Sequence, residues 1–294
     1  MFRSGFVAVV GRPNTGKSTL VNALVGQKVS IVTDKAQTTR GRIRGVRTTD
    51  QVQMVFTDTP GFHKPRTLLG ERLNKMVEDS TDDVDGVVLV VDAAAGVGRG
   101  DAFVAERRVA PLRCLKVGAV NKVDLLRGDD VLPQLGAAAR LTALDHVIPV
   151  SARTGRGVLE LVAVLSGATP EGPPYFPAGQ VTDQPLEYRV GEVVREKALM
   201  LTREELPHSI AVQVEAIESG DGDVPTRIEC LIFVERESQK GIVIGQGGQV
   251  LKRIGTLARK ELEQALGTRL YLGLRVKVQR QWQRDPAALA RLGY

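Results

Sequence analysis

Residues Gly11 to Ser18 read Gly-Arg-Pro-Asn-Thr-Gly-Lys-Ser, a complete G-x-x-x-x-G-K-S phosphate loop. No other feature constrains the fold as much, because such a loop works only between a strand and a helix. The flanks agree with that demand. An apolar run at 6–10 precedes the loop, and a helical pattern at 20–24 follows it. The glycines let backbone N–H groups point at phosphate oxygens, and the start of the helix adds partial positive charge. Lys17 is placed to reach the β- and γ-phosphates, and Ser18 to ligate Mg²⁺. Gly11, Asn14, Thr15, Gly16 and Thr19 complete the expected cradle.

Three further motifs follow in order, each after an apolar run. Asp58-Thr59-Pro60-Gly61 ends the run at 52–56. An Asp there can hold Mg²⁺ through water, and the Gly61 N–H can meet a γ-phosphate. Asn121-Lys122-Val123-Asp124 follows the run at 115–120 and selects the base. A carboxylate at Asp124 accepts hydrogen bonds from the N1–H and 2-amino groups of guanine. Adenine offers neither group, and a buried carboxylate left unpaired is costly. Val150-Ser151-Ala152 comes last, where a backbone N–H can meet the guanine O6. Singly these patterns are weak; in this order they point to GTP.

At 294 residues the chain has room for two domains, each with its own core. From residue 6 to about 166, strand-like runs alternate with helical ones. The strands are expected at 6–10, 44–49, 52–57, 86–91, 115–120 and 146–150, with helices at 101–110, 131–142 and 158–165 among others. Strands of near-continuous Val, Leu and Ile imply burial on both faces, hence a mostly parallel sheet covered by helices. Ligands of such sheets bind outside the carboxyl ends of the strands, where all four motifs sit. Residues 167–185 carry five prolines and two internal glycines, which suits a semi-extended linker. The expected division is therefore 1–168, a linker at 169–185, and a second domain at 186–294.

The second half has a different grammar. A helical pattern spans 186–201, and 209–217 and 226–235 alternate like an antiparallel pair of strands. Gly245-Gln246-Gly247-Gly248 then lies between two helical segments, the second at 250–266, and a last strand is expected at 271–278. A G-x-x-G loop so placed fits a KH-type module, which clamps about four nucleotides of single-stranded RNA. Charge points the same way. Between Lys240 and Arg284 ten lysines and arginines, Lys252 and Arg253 among them, stand against Glu261 and Glu263 alone. Such an excess beside a glycine loop suits a phosphate backbone. Trp282, just past the last strand, is placed either to stack on a base or to seal the core edge.

The remaining composition excludes more than it suggests. Cys114 and Cys230 lie in apolar segments with no metal-site spacing and are expected to be buried free thiols. Three scattered histidines suggest no metal cluster. No signal peptide is expected, and the longest purely apolar run, 86–91, is far too short to span a bilayer. A soluble, cytoplasmic, monomeric chain is expected.

Taken together, the phosphate loop, Gln37-Thr-Thr-Arg40, Asp58-Thr-Pro-Gly61, Asn121-Lys-Val-Asp124, Val150-Ser-Ala152 and Val243-Ile-Gly-Gln-Gly-Gly248 resemble the Era family of bacterial GTPases. The ending, Leu289-Ala-Arg-Leu-Gly-Tyr294, is similar as well, so the likeness covers nearly the whole chain. The resemblance implies a P-loop GTPase domain followed by a smaller α+β KH domain of type II. It implies binding of 16S ribosomal RNA near its 3′ end, a role in maturing the small (30S) ribosomal subunit, and peripheral attachment to the inner membrane. The sequence supplies no lipidation site or strongly amphipathic basic helix for that attachment. RNA contact is carried over onto Gly245, Gln246, Gly247, Gly248, Lys240, Lys252 and Arg253.

Gln37–Arg40 is expected to form the first switch. Related potassium-stimulated GTPases share the Pro-Asn-x-Gly-Lys and Thr-Thr-Arg patterns. By that likeness Thr39 ligates Mg²⁺, while Asn14 and Thr38 hold a K⁺ against the phosphates. Lys17, Thr39 and Gly61 are thus the expected catalytic set. Phe62 stands where signalling GTPases carry a water-orienting glutamine, so slow intrinsic hydrolysis is expected. His63 beside it is expected to be an ordinary surface residue. Two rival readings are an RNA-binding protein with an inert nucleotide pocket and a signalling GTPase whose second domain binds protein.

Overall fold

The computed structural model describes residues 1–35, 38–61, 67–81, 83–202, 209–220 and 224–294. The chain divides into two compact units, one ending at Asp183 and one made mainly of Gln184–Tyr294.

The first unit is built on a six-stranded sheet. Its strands are β1 (Arg3–Val10), β2 (Ile43–Thr48), β3 (Val52–Asp58), β4 (Gly86–Asp92), β5 (Leu115–Asn121) and β6 (His146–Pro149), in the order β2-β3-β1-β4-β5-β6. Every pairing is parallel except β2 with β3, which is antiparallel. Alternation along the strands feeds two cores. Val7, Val9, Val88 and Val90 pack under α1 (Lys17–Val25) and α5 (Val158–Ala168), through Leu20, Leu24, Leu161 and Leu165. Ala8, Val10, Leu89 and Val91 pack on the other face, with Val104 of α3 (Arg99–Val104) and Ala138 of α4 (Val131–Ala139). Burial on both faces explains why these strands read as unbroken apolar runs.

Two helices depart from expectation. The helix expected at 101–110 is α3 followed by a π-turn at Ala105–Val109. A further helix, α2 (Leu68–Asp79), was not among those expected, although Leu69, Leu73 and Val77, spaced four apart, are all buried.

The proline-rich stretch after α5 is docked against the first unit. The Ser4 Oγ donates to the Pro173 carbonyl at 2.7 Å, and the Val46 N–H donates to the Val181 carbonyl at 2.8 Å. Fully buried Gln53 ties the stretch to β3. Its Oε1 accepts the Tyr175 and Phe176 N–H groups at 2.7 and 2.9 Å, and its Nε2 donates to the Phe176 carbonyl at 2.9 Å. The Gly45–Thr182 bridge also covers the outer edge of β2.

The second unit places α6 (Leu186–Leu201) and α8 (Gln249–Leu266) against a three-stranded sheet, β7 (Ala211–Glu218), β8 (Thr226–Val234) and β9 (Leu270–Val278). β7 pairs antiparallel and β9 parallel with β8. Between β8 and α8 comes α7 (Glu237–Ile244). α8 is strongly amphipathic, contrary to the expectation that no such basic helix exists. Its apolar face, Ile254, Ala258 and Leu262, is spent on the core, while Lys252, Arg253, Arg259 and Lys260 are exposed. Trp282 is fully buried and its indole N–H donates to the Ser209 carbonyl at 3.0 Å, so it seals the core. Cys230 is buried and free, with burial pushing its thiol up to about 12; Cys114 is only half-buried, short of the burial expected of it.

Candidate functional sites

The phosphate loop runs from the end of β1 into α1, and its shape is set by close backbone approaches. Gly16 adopts φ +91°, and a Cβ there would lie 2.4 Å from the Asn121 amide nitrogen. Only glycine fits that place and conformation. A Cβ on Gly61 would likewise come within 2.7 Å of Pro13 Cα. Gly16 is the residue just before α1, whose start supplies the N-terminal amides that an anion site requires. Lys17 is buried there, and its ammonium donates to the Gly11 and Arg12 carbonyls at 3.1 and 2.7 Å. Burial pulls its pKa down to about 8, against the pull of Asp58 in the other direction.

Hydroxyls and one carboxylate converge beside Lys17. Ser18 Oγ lies 2.9 Å from Thr39 Oγ1, and Thr39 Oγ1 donates to Asp58 Oδ2 at 3.3 Å. The other oxygen of fully buried Asp58, Oδ1, has no hydrogen-bond donor. Burial pushes the Asp58 carboxyl up, opposed by the Ser18 hydroxyl and the Lys17 ammonium. An oxygen-only cluster with an unsatisfied buried carboxylate oxygen is a donor set that suits Mg²⁺. No group of three or more His, Cys, Asp or Glu residues suited to a metal occurs among the described residues. The Ser–Thr–Asp cluster is therefore the candidate. Thr59, by contrast, spends its hydroxyl on the Val9 carbonyl at 3.0 Å, and Pro60 is simply buried beside it.

The base end is organised by Asn121. Its Nδ2 donates to the Thr15 carbonyl at 2.9 Å, and its Oδ1 accepts the Ala152 N–H at 3.0 Å. One side chain thus joins the phosphate loop to the last motif. Lys122, at φ +66°, donates to the Asn14 carbonyl at 2.7 Å and pairs with Asp92 at 2.6 Å. The Ser151 hydroxyl donates to Asp124 Oδ1 at 2.6 Å, and this bond is the main reason the Asp124 carboxyl titrates low. Arg153 pairs with Asp124 Oδ2 at 2.8 Å. In the last motif the Ser151 N–H donates to the Arg156 carbonyl and the Ala152 N–H to Asn121, so both are engaged where a backbone N–H was expected to meet guanine O6.

Asp92 and Arg153 escaped the sequence reading. Asp92 also accepts the Ala94 and Ala95 N–H groups at 3.0 Å, and its place at the carboxyl end of β4 was the available signal. Arg153 adjoins the last motif but carries no signature of its own. Thr19 is half-exposed on the first turn of α1. Asn14 is exposed, in the left-handed region at φ +64°. The Thr38 hydroxyl donates to the Lys35 carbonyl at 2.7 Å and lies 2.6 Å from Thr33 Oγ1. Gln37, Phe62 and His63 lie outside the described residues.

In the second unit the glycine loop joins α7 to α8. Gly245, Gly247 and Gly248 have φ of +72°, +57° and +78°. A Cβ on Gly247 or Gly248 would meet nothing within 4 Å, so bare backbone borders open space where a phosphodiester can approach. Gln246 and Gly247 are exposed, and so are Lys252 and Arg253 on the first turns of α8; Lys240 is half-buried. Of the ten basic residues counted from Lys240 to Arg284, Arg275 alone has a carboxylate partner among the described residues, Glu215 at 2.5 Å.

The family model for a 50S ribosome-binding GTPase matches residues 6–120, and that for a KH domain matches 205–283. The chain is 48% identical over 297 residues to the GTPase Era of Mycolicibacterium smegmatis, spanning 100% of this chain and 99% of that protein. This chain belongs to the Era family of GTPases. Era of Mycobacterium tuberculosis is similar to the same degree, 48% identical with the same coverage. Among solved structures, Era bound to MgGDPNP and nucleotides 1506–1542 of 16S ribosomal RNA matches with a TM-score of 0.96 at 40% identity. A variant of Era from Aquifex aeolicus bound to GDP and AlF4⁻ matches equally well, and each alignment covers 100% of this chain and 99% of the other. An Era-family architecture, a P-loop GTPase domain with a mostly parallel sheet followed by a KH domain, is thereby established for the chain.

Proposed function

We propose that this Era-family protein binds and hydrolyses GTP and binds 16S ribosomal RNA near its 3′ end through the glycine loop and basic face of its KH domain. The observation that carries the first half is the convergence of Lys17, Ser18, Thr39 and Asp58 at one end of the sheet, with the Asp124 carboxylate at the base end held by Ser151. Lys17 exchanges two loop carbonyls for β- and γ-phosphate oxygens. Ser18, Thr39 and Asp58 would hold Mg²⁺, which would supply neutralisation of the charge that builds on the phosphates. Gly61, packed against Pro13, offers its N–H to the γ-phosphate. Asp124 reads the N1–H and 2-amino groups of guanine, and Asn121 fixes the distance between the phosphate and base ends.

The second half rests on the open backbone at Gly247 and Gly248 beside unpaired cations. It is supported by the likeness to Era bound to a 16S ribosomal RNA segment. We infer from the family resemblance a cytoplasmic monomer that assists assembly of the 30S subunit. Peripheral attachment to the inner membrane is part of that reading. No helix among the described residues is long and apolar enough to cross a membrane, so attachment would be at the surface.

The test is a pair of assays on the full chain. GTP turnover should be measurable and lost in Lys17→Ala. Affinity for a single-stranded RNA matching the 16S 3′ end should fall steeply with salt and at least about tenfold in Gly247→Asp, which sets a carboxylate against the phosphodiester. Salt-insensitive RNA binding unchanged by Gly247→Asp would overturn the RNA half.

A further inference from the structure

Arg12 is the first variable residue of the phosphate loop, and its side chain is spent on the start of α3. Its Nε donates to Asp101 Oδ1 at 2.7 Å, and its terminal nitrogen to the Gly96 carbonyl at 3.2 Å. The Asp101 side chain is wholly buried, whereas that of Arg12 is 30% exposed. Asp101 also accepts the Gly98 N–H through Oδ2 at 2.9 Å, so its carboxylate is held from both sides. Gly100 leaves the room for this arrangement, since a Cβ there would stand 2.6 Å from Arg12 Cδ.

The same residue works on the inner side of the loop through its backbone. The Arg12 carbonyl accepts Lys17 Nζ at 2.7 Å and Thr15 Oγ1 at 3.1 Å. Pro13 follows, with its φ fixed by the ring. The backbone at Arg12 and Pro13 is thus a stiff elbow, clamped on the outside and gripping Lys17 on the inside. A buried carboxylate cannot lose its cation and stay as it was. Displacing the Arg12 guanidinium would strip Asp101 of its cation and loosen the residue whose carbonyl holds Lys17.

We propose that Arg12 and Asp101 form a positioning pair for phosphate binding, fixing the rim of the loop so that Lys17 stands where the β-phosphate arrives. The proposal rests on reading Gly11 to Ser18 as a phosphate loop. It predicts damage confined to the phosphates beyond the first. Base recognition through Asp124 lies at the other end of the site and stays intact.

The experiment measures GDP and GMP affinity by competition with a fluorescent guanine nucleotide, for the unaltered chain, Arg12→Ala, Arg12→Lys and Asp101→Asn. Melting temperature is recorded for each. Arg12→Ala and Asp101→Asn should weaken GDP about tenfold, the size of effect typical for coupled neighbours, and leave GMP within about twofold. Arg12→Lys, which keeps the charge but not the two-pronged geometry, should recover part of the loss. If Asp101→Asn does not fold, Gly100→Ala replaces it, because the added methyl crowds Arg12 directly. GDP affinity unchanged in both variants that fold would overturn the proposal. So would equal weakening of GMP and GDP alongside a lower melting temperature, which marks a merely structural pair. If the unaltered chain binds no GDP at all, the phosphate-loop reading itself has failed.

Discussion

Lys17 carries a pH dependence whose sign and size follow from its surroundings. Burial lowers its pKa to about 8 in the absence of nucleotide. The ammonium must be charged to meet phosphate oxygens, and bound phosphates raise its pKa again by favouring the charged form. Binding therefore takes up a proton wherever free Lys17 is partly neutral, and affinity falls as pH rises through about 8. The protonated fraction drops from about nine-tenths at pH 7 to about one quarter at pH 8.5, so GDP affinity should fall about fourfold. The assay is a fluorescent-nucleotide titration at constant ionic strength, with a chelator present so that no divalent cation shifts Lys17 or Asp58. Lys17→Arg is the control. A guanidinium stays charged over this range, so every slope it retains belongs to other groups. This variant should bind more weakly overall but with a flatter profile. A flat profile for the unaltered chain, or the same slope in Lys17→Arg, would show that Lys17 does not carry this pH dependence.

Other consequences are open to direct assay. Asp124→Asn replaces an acceptor-only group with one that also donates, so GDP affinity should drop at least about a hundredfold while xanthosine diphosphate gains; retention of GDP binding within tenfold would exclude Asp124 as the base reader. Hydrolysis should run faster in K⁺ than in Na⁺ at matched ionic strength if Asn14 and Thr38 help hold a K⁺, and equal turnover would remove that role. Trp282→Ala should cost about 3–5 kcal/mol of stability in the second unit, because it empties a large buried volume and strips the Ser209 carbonyl of its donor; a change under 1 kcal/mol in chemical denaturation would contradict the burial.

Much of this site was legible because its chemistry is local. Each motif is a short string whose spacing places a fixed group at a strand end, and a strand buried on both faces announces itself as an unbroken apolar run. The β-type reading of residues 86–91 and 115–120 needed nothing more. What escaped depends on partners distant in sequence. Arg12 and Asp101 are 89 residues apart, and neither position looks exceptional alone. Gln53 reads as a polar residue in a strand, yet it is fully buried and binds the backbone at 175 and 176. That long-range pairing is why a proline-rich stretch that reads as a tether lies docked on the sheet. Trp282 was ambiguous because the carbonyl that its indole N–H meets belongs to Ser209, 73 residues earlier in the chain. Lys122 and Asp92 illustrate the middle ground, with a motif member legible and its counter-ion found only in space.

In the function proposed above, one chain joins a guanine-nucleotide switch to a reader of the 16S ribosomal RNA 3′ end. Linkage then requires that each ligand change the affinity for the other by the same factor. The most direct measurement is the affinity of the full chain for a short RNA from the 16S 3′ end, at one salt concentration, in the presence of a non-hydrolysable GTP analogue, of GDP and of no nucleotide. RNA binding should be tighter with the GTP analogue than in either other state. Equal affinity in all three states would contradict it and leave two modules that share a chain without sharing a switch.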